Sequence, residues 1–180
     1  MKEPDWAECD EKELWTYVGW HLAKRGIQSV LVGGAVVSIY TDGLYKSGDI
    51  DLLTYEDSIA QLDQAMAEIG FKKKDMHYRN PKCMQFYIQS VSGPLGIGDD
   101  LQIKPQTITV EGQKLMLLTP TDCIRDRLSA FIYDQVRSLF DQAVLVAKHH
   151  PFEDKKIKKW LKDEGREDLF NEFIASVNRP

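Results

Sequence analysis

Asp49 and Asp51 stand one residue apart in the run Asp-Ile-Asp-Leu-Leu-Thr, and upstream a second apolar run, Val30-Leu-Val32, ends in Gly33-Gly34. Side chains alternate along a strand, so the two aspartates share one face while Ile50 and Leu52 share the other. Two like charges on one face destabilise a strand. A divalent cation between them reverses that sign, and a set of oxygen donors suits Mg²⁺ or Mn²⁺ rather than Zn²⁺. The glycines suggest a second piece of chemistry. A strand that ends in Gly-Gly and feeds a helix gathers unpaired N–H groups and the positive end of a helix dipole, and glycine lets a phosphate approach the backbone. Each signal has a plain alternative: a tight strand–helix corner for the glycines, a solvated strand end for the aspartates.

The surrounding pattern predicts the elements that would position these residues. A helix is expected over residues 10–25, with Leu14, Tyr17, Val18 and Leu22 at helical spacing and Gly26 as its stop. Residues 27–32 read as a buried strand, 35–41 as a short helix, 49–54 as the strand with the aspartates, and 56–69 as a helix with Ile59, Leu62, Met66 and Ile69 on its apolar stripe. Residues 71–79 are ambiguous, with Lys72, Lys73 and Lys74 exposed in any arrangement. Residues 83–90 read as a strand, and 107–110 with 114–118 as a hairpin around Glu111-Gly112. Thr119-Pro120-Thr121-Asp122 is a helix start, and helices are expected over about 119–133, 134–148, 153–164 and 167–177. The order predicts an α+β protein: a mixed β-sheet core with flanking helices over residues 1–118, and a C-terminal helical layer over 119–180 packed tightly on it.

Composition narrows the function. A hydrophobic fraction of 43% and a charged fraction of 28% are those of an ordinary globular chain. The net charge of −5 argues against a general nucleic-acid binder and requires that any phosphate be handled locally, by backbone N–H groups, a few basic side chains and metal ions. Cys9, Cys83 and Cys123 fit neither a disulfide framework nor a zinc pattern, so reduced thiols are expected. The acidic start lacks the apolar stretch of a signal peptide, and no apolar run reaches membrane-spanning length, so a cytoplasmic protein without a membrane partner is expected. His149-His150 are expected at a helix C-terminus rather than on a metal, and Lys155, Lys156, Lys158 and Lys159 on a solvated face. Trp6, Trp15, Trp20 and Trp160 are expected to pack rather than to stack on bases.

Taken together, Val32-Gly33-Gly34, Ser47 and Asp49-Ile50-Asp51-Leu52 resemble the signature of the nucleotidyltransferase superfamily, the polymerase-β-like fold. The stretch Leu118 to Ala130, with Arg127-Leu128-Ser129-Ala130 at a basic position and Asp141 as a later acid, is similar to a helix of the minimal and AbiEii-like branch. The resemblance implies Mg²⁺ or Mn²⁺ on Asp49 and Asp51, a nucleoside triphosphate such as ATP held by Gly33, Gly34 and Ser47, and Arg127 balancing its charge. Arg127 lies beside the buried stripe of Ile124, Leu128 and Phe131, where it needs a carboxylate or a triphosphate as partner. A structural ion pair with Asp122, Asp126 or Asp141 is the other reading.

The family places a third acid on a later strand, where it binds a second metal and helps activate an acceptor hydroxyl. Here Gln89 holds that position, and Asp99 and Asp100 follow in a Gly-rich loop. Asp49, Asp51 and Asp100 are therefore the expected catalytic set. The implied activity is transfer of a nucleotidyl group to a hydroxyl of a protein or a small molecule. The alternatives are an impaired nucleotidyltransferase-fold binding module, such as an antitoxin-like partner with Gln89 in place of the acid, and a purely structural domain.

Overall fold

Asp10 begins the first helix by accepting the N–H of Glu13, while the Glu13 side chain accepts the N–H of Asp10, a reciprocal cap that fixes where α1 (Glu11–Lys24) starts. The chain is described by a computed structural model covering residues 1–55 and 59–179. β1 (Ser29–Val32) leads through Gly33 into α2 (Gly34–Tyr40), and β2 (Asp49–Thr54) follows. α3 (Ile59–Glu68) is the described part of the third expected helix; Glu56, Asp57 and Ser58, expected at its start, lie outside the described residues. β3 (Lys72–Lys74), β4 (His77–Asn80) and β5 (Cys83–Ser92) come next, then the hairpin β6 (Gln106–Val110) and β7 (Gln113–Leu117). The chain closes with α4 (Pro120–Asp134), α5 (Arg137–His149), α6 (Asp154–Asp163) and α7 (Glu167–Val177).

The strands form one mixed sheet in the order β3-β4-β5-β2-β1-β7-β6. β2 is central. It runs antiparallel to β1 and parallel to β5, with Asp51 opposite Val32 on one side and Gln89 on the other. β1 pairs in parallel with β7, so strands far apart in sequence flank it. Ile50 and Leu52 are buried in a continuous core with Leu31, Val36 and Val37, as the alternation of β2 requires, and Trp15 and Trp160 are packed into the same core. All three cysteines are buried and unbonded. Among the described residues, no helix is long and apolar enough to cross a membrane.

The ambiguous segment resolves into the antiparallel pair β3–β4, turned at Asp75 with φ of 56°. All three residues of β3 are exposed lysines, which leaves no buried alternation to read but suits an edge strand, where charge discourages pairing with another chain. α4 starts as expected: Thr119 Oγ1 accepts the N–H of Asp122 at 3.1 Å, and Pro120 occupies the first turn. Gln135, in the left-handed region with φ of 59°, ends α4. α5 therefore starts at Arg137, three residues beyond the expected Asp134.

Candidate active site

The turn from β1 into α2 is built around the aspartates. Gly33 has φ of 73°, where an L side chain is strained, and a Cβ there would fall on the Asp51 carboxylate. A Cβ on Gly34 would meet Ser47 Oγ at 2.8 Å. The glycine pair is thus required by the packing of the acidic strand and the Ser47 loop against the turn. Ser47 is buried and pinned from both sides: its hydroxyl donates to Asp49 Oδ1 at 2.6 Å, and its N–H donates to Glu11 Oε1 at 2.6 Å. The Tyr87 hydroxyl donates to the other Asp49 oxygen, Oδ2, at 3.3 Å. Asp49 is therefore oriented by a loop on one side and by β5 on the other.

Asp51 is less well served. Burial, together with the neighbouring Asp49, pushes its carboxyl up to about 6, against the opposing charge of Arg127. Arg127 reaches the site from α4 and is ion-paired with Asp126 at 2.6 Å. Burial works against its charge, but Asp126 and, more weakly, Asp51 hold it protonated beyond the usual arginine range. Asp126 is the ion-pair partner of Arg127, and Asp51 feels its charge. Asp141 lies apart, exposed and paired with Arg137 at 3.4 Å.

Two carboxylates on one face, one of them hard to ionise, form a donor set that fits one hard cation, which Mg²⁺ sites commonly complete with water and substrate oxygens. The register puts Gln89 directly beside Asp51, at the place expected for a third acid. Gln89 supplies only a neutral amide, and among the described residues no group of three or more His, Cys, Asp or Glu side chains is placed to hold a metal. The residues do not fit a clamp for two ions built from three carboxylates.

Residues 11–84, from α1 to the first residues of β5, match the family described as "Nucleotidyl transferase of unknown function (DUF2204)". A nucleotidyltransferase-like antigenic protein from Paracoccidioides brasiliensis is similar in structure, with a TM-score of 0.58 and 18% identity, covering 76% of this chain and 75% of that one. ANT(2″)-Ia bound to adenylyl-2″-tobramycin superposes with a TM-score of 0.52 at 12% identity, covering 90% of this chain and 95% of its own. The solution structure of the antibiotic-resistance factor ANT(2″)-Ia gives 0.53 at 13% identity, covering 91% and 92%. No curated protein sequence matches the chain. The chain has a nucleotidyltransferase-like fold.

Within this nucleotidyltransferase fold, Asp100 does not join Asp49 and Asp51. It follows a tight turn in which Ile97 and Asp100 exchange backbone hydrogen bonds. Its carboxylate takes a 2.6 Å hydrogen bond from Arg125 Nη2, which holds it below the usual carboxylate range. Arg125 also binds Asp122 at 2.8 Å, and Lys156 binds Asp122 at 2.9 Å, so the loop is tied to α4 and α6 by an ionic cluster. Placing Asp100 in the catalytic set is corrected on this geometry: its charge is committed to Arg125. Lys156 likewise belongs to this cluster rather than to a freely solvated face. His149 and His150 end α5 and bind the carbonyls of Leu145 and Tyr40, at 2.8 and 2.7 Å.

Four residues, three around the site and one in the ionic cluster of α4, escaped the sequence. Tyr87 could have been found, since it stands two residues before Gln89 on one strand and shares its face. Glu11 and Arg125 gave no signal of their own; each is a charged residue on an ordinary helical pattern, identifiable as buried only from what packs over it. His77 fell in the ambiguous segment.

Proposed function

We propose that this protein transfers a nucleotidyl group from a nucleoside triphosphate, ATP being the natural first choice, to a hydroxyl of a small molecule or a protein side chain. The observation that carries this reading is the pairing of Asp49 and Asp51 on one face beside the Gly33-Gly34 turn, with Asp51 disfavoured as an anion until a cation joins it. Asp49 and Asp51 would hold Mg²⁺ or Mn²⁺. Such an ion, when bound, supplies positive charge to the triphosphate. The chain's own residues supply position: Ser47 and Tyr87 fix the Asp49 carboxylate, and Gly33 keeps the turn close to Asp51. In this reading the turn offers its N–H groups to phosphate oxygens, and Arg127 offsets charge that grows on the triphosphate as the bond to pyrophosphate breaks. The bound ligand named for ANT(2″)-Ia, adenylyl-2″-tobramycin, suggests a hydroxyl-rich small molecule as a first acceptor to try.

A second reading, a binding module without turnover, is favoured by the neutral Gln89 beside Asp51. Calorimetry of ATP with and without Mg²⁺, followed by transfer from α-phosphate-labelled ATP to tobramycin or to the protein itself, separates the two. Mg²⁺-dependent binding is expected to weaken at least about tenfold in Asp49→Asn and Asp51→Asn, since each removes a charged ligand. Binding that ignores both substitutions would dismiss the metal site, and binding without any label transfer would favour the module.

A further inference from the structure

The row of side chains that contains Asp51 and Gln89 extends one strand further. Residues paired across neighbouring strands share a face. The pairings Val32↔Asp51, Asp51↔Gln89, His77↔Gln89 and Lys74↔His77 therefore set Val32, Asp51, Gln89, His77 and Lys74 side by side. His77 is the first group beyond Asp51 in that row with a ring nitrogen that can act as a proton acceptor. Its half-buried ring packs edge-on against Tyr87, with centroids 4.7 Å apart and planes at 90°. Tyr87 is the residue whose hydroxyl reaches Asp49, and the Arg79 guanidinium covers the Tyr87 ring at 4.9 Å. Among the described residues, the His77 ring nitrogens have no protein hydrogen-bond partner; its neighbours are an aromatic ring and the open row. The charged and titratable groups facing it are Lys74 from β3, Arg79 on its own strand, Tyr87 from β5, and Asp49 and Asp51 from β2.

Spacing sets His77 apart from position 89. An acid at 89 would stand one strand from Asp51, roughly 5 Å, and could share an ion with it. His77 stands two strands away, roughly 10 Å between backbones. That spacing leaves room for an acceptor group between the imidazole and a phosphate held at Asp49 and Asp51. Resting on the transfer reading above, we propose that His77 is the base for the acceptor hydroxyl and replaces the carboxylate that position 89 lacks, with the Gln89 amide steadying the hydroxyl between them. The acceptor oxygen forms a bond to the α-phosphorus. The bond from that phosphorus to the pyrophosphate oxygen breaks, and pyrophosphate leaves with the electron pair. The hydroxyl proton passes to an imidazole nitrogen and then to water. Imidazole is suited to such an exchange at neutral pH.

Two measurements test the assignment. The first is broadening of histidine ring signals by Mn²⁺–ATP in the intact protein. His77 is expected to broaden and exposed His149 to stay sharp, with the effect lost in Asp49→Asn. Uptake of Mn²⁺–ATP with His77 left sharp overturns the proposal alone, whereas no uptake by the unsubstituted protein removes the transfer reading and the proposal with it. The second is formation of AMP from ATP with water as the acceptor. His77→Ala is expected to lower it about 100-fold with ATP affinity unchanged, and added imidazole or a second change, Gln89→Glu, is expected to restore much of it. A His77→Ala protein as fast as the original, or one that neither addition rescues, overturns the role.

Discussion

An aspartate buried next to another aspartate is held less comfortably in the folded protein than in the unfolded chain, unless a cation joins it. For Asp51 the consequence for stability has a definite sign. Its folded carboxyl, pushed up to about 6 from 3.8, binds a proton more tightly than the unfolded one. Folding therefore takes up a proton between those values, and stability contributed by this group falls as pH rises through that window. Above it the charged form carries the full penalty. The shift, which already includes the opposing charge of Arg127, would correspond to at most about 3 kcal/mol, and partial solvation reduces it to about 1 kcal/mol. Asp51→Asn is accordingly expected to stabilise the metal-free protein by about 1 kcal/mol at pH 7.5 and to leave it little changed at pH 4, as read by urea unfolding in a chelator. An Asp51→Asn protein less stable than the original at pH 7.5 would contradict this. The shared face of Asp49 and Asp51 was legible at this scale because a strand's alternation fixes which face a residue takes. The commitment of Asp100 was not, because its partner Arg125 lies on another element and only packing brings them together.

At the scale of elements, α4 carries two arginines with different duties. Arg127 faces the acidic strand, while Arg125, 1% exposed, holds Asp122 and Asp100. Helical periodicity marks the stripe of Ile124 and Leu128, but it does not reveal that α6 and the loop through Asp100 close over the residue between them. Removing one member of a buried ion pair strands the other. Asp122, also 1% exposed, would keep Lys156 at 2.9 Å. Arg125→Met is therefore expected to cost about 3 kcal/mol, the lower part of the range for breaking such pairs. Arg125 Nε is buried without a hydrogen-bond partner among the described residues, so the cluster is incompletely satisfied. The double change Arg125→Met with Asp122→Leu should regain most of that loss in the same denaturant experiment. A double variant no better than the single one would show that the cluster is worth more than its desolvation cost. β3 gave the weakest element signal, because a short, fully exposed edge strand has no buried face from which to read a period.

Over the whole molecule, β1 lies between β2, the second strand in sequence, and β7, the last. The two edges of β1 therefore become available at different times. The β1–β2 pair, with Asp49 and Asp51 already on one face, closes a short stretch of chain. The β7 edge and the charge of Arg127 arrive only after the far longer loop through β3 to β6 has closed, at greater entropic cost. Until α4 docks, the two carboxylates lack the Arg127 charge that opposes their repulsion in the finished protein. A divalent cation present during refolding would stand in for it. Mg²⁺ should therefore raise the refolding rate as well as lower the unfolding rate, shifting both limbs of the denaturant dependence, and Asp49→Asn should abolish the refolding effect. An effect confined to the unfolding limb would place cation binding after α4 has docked. The placement of β1 thus makes the order of assembly, as well as the finished geometry, a property of the acidic strand.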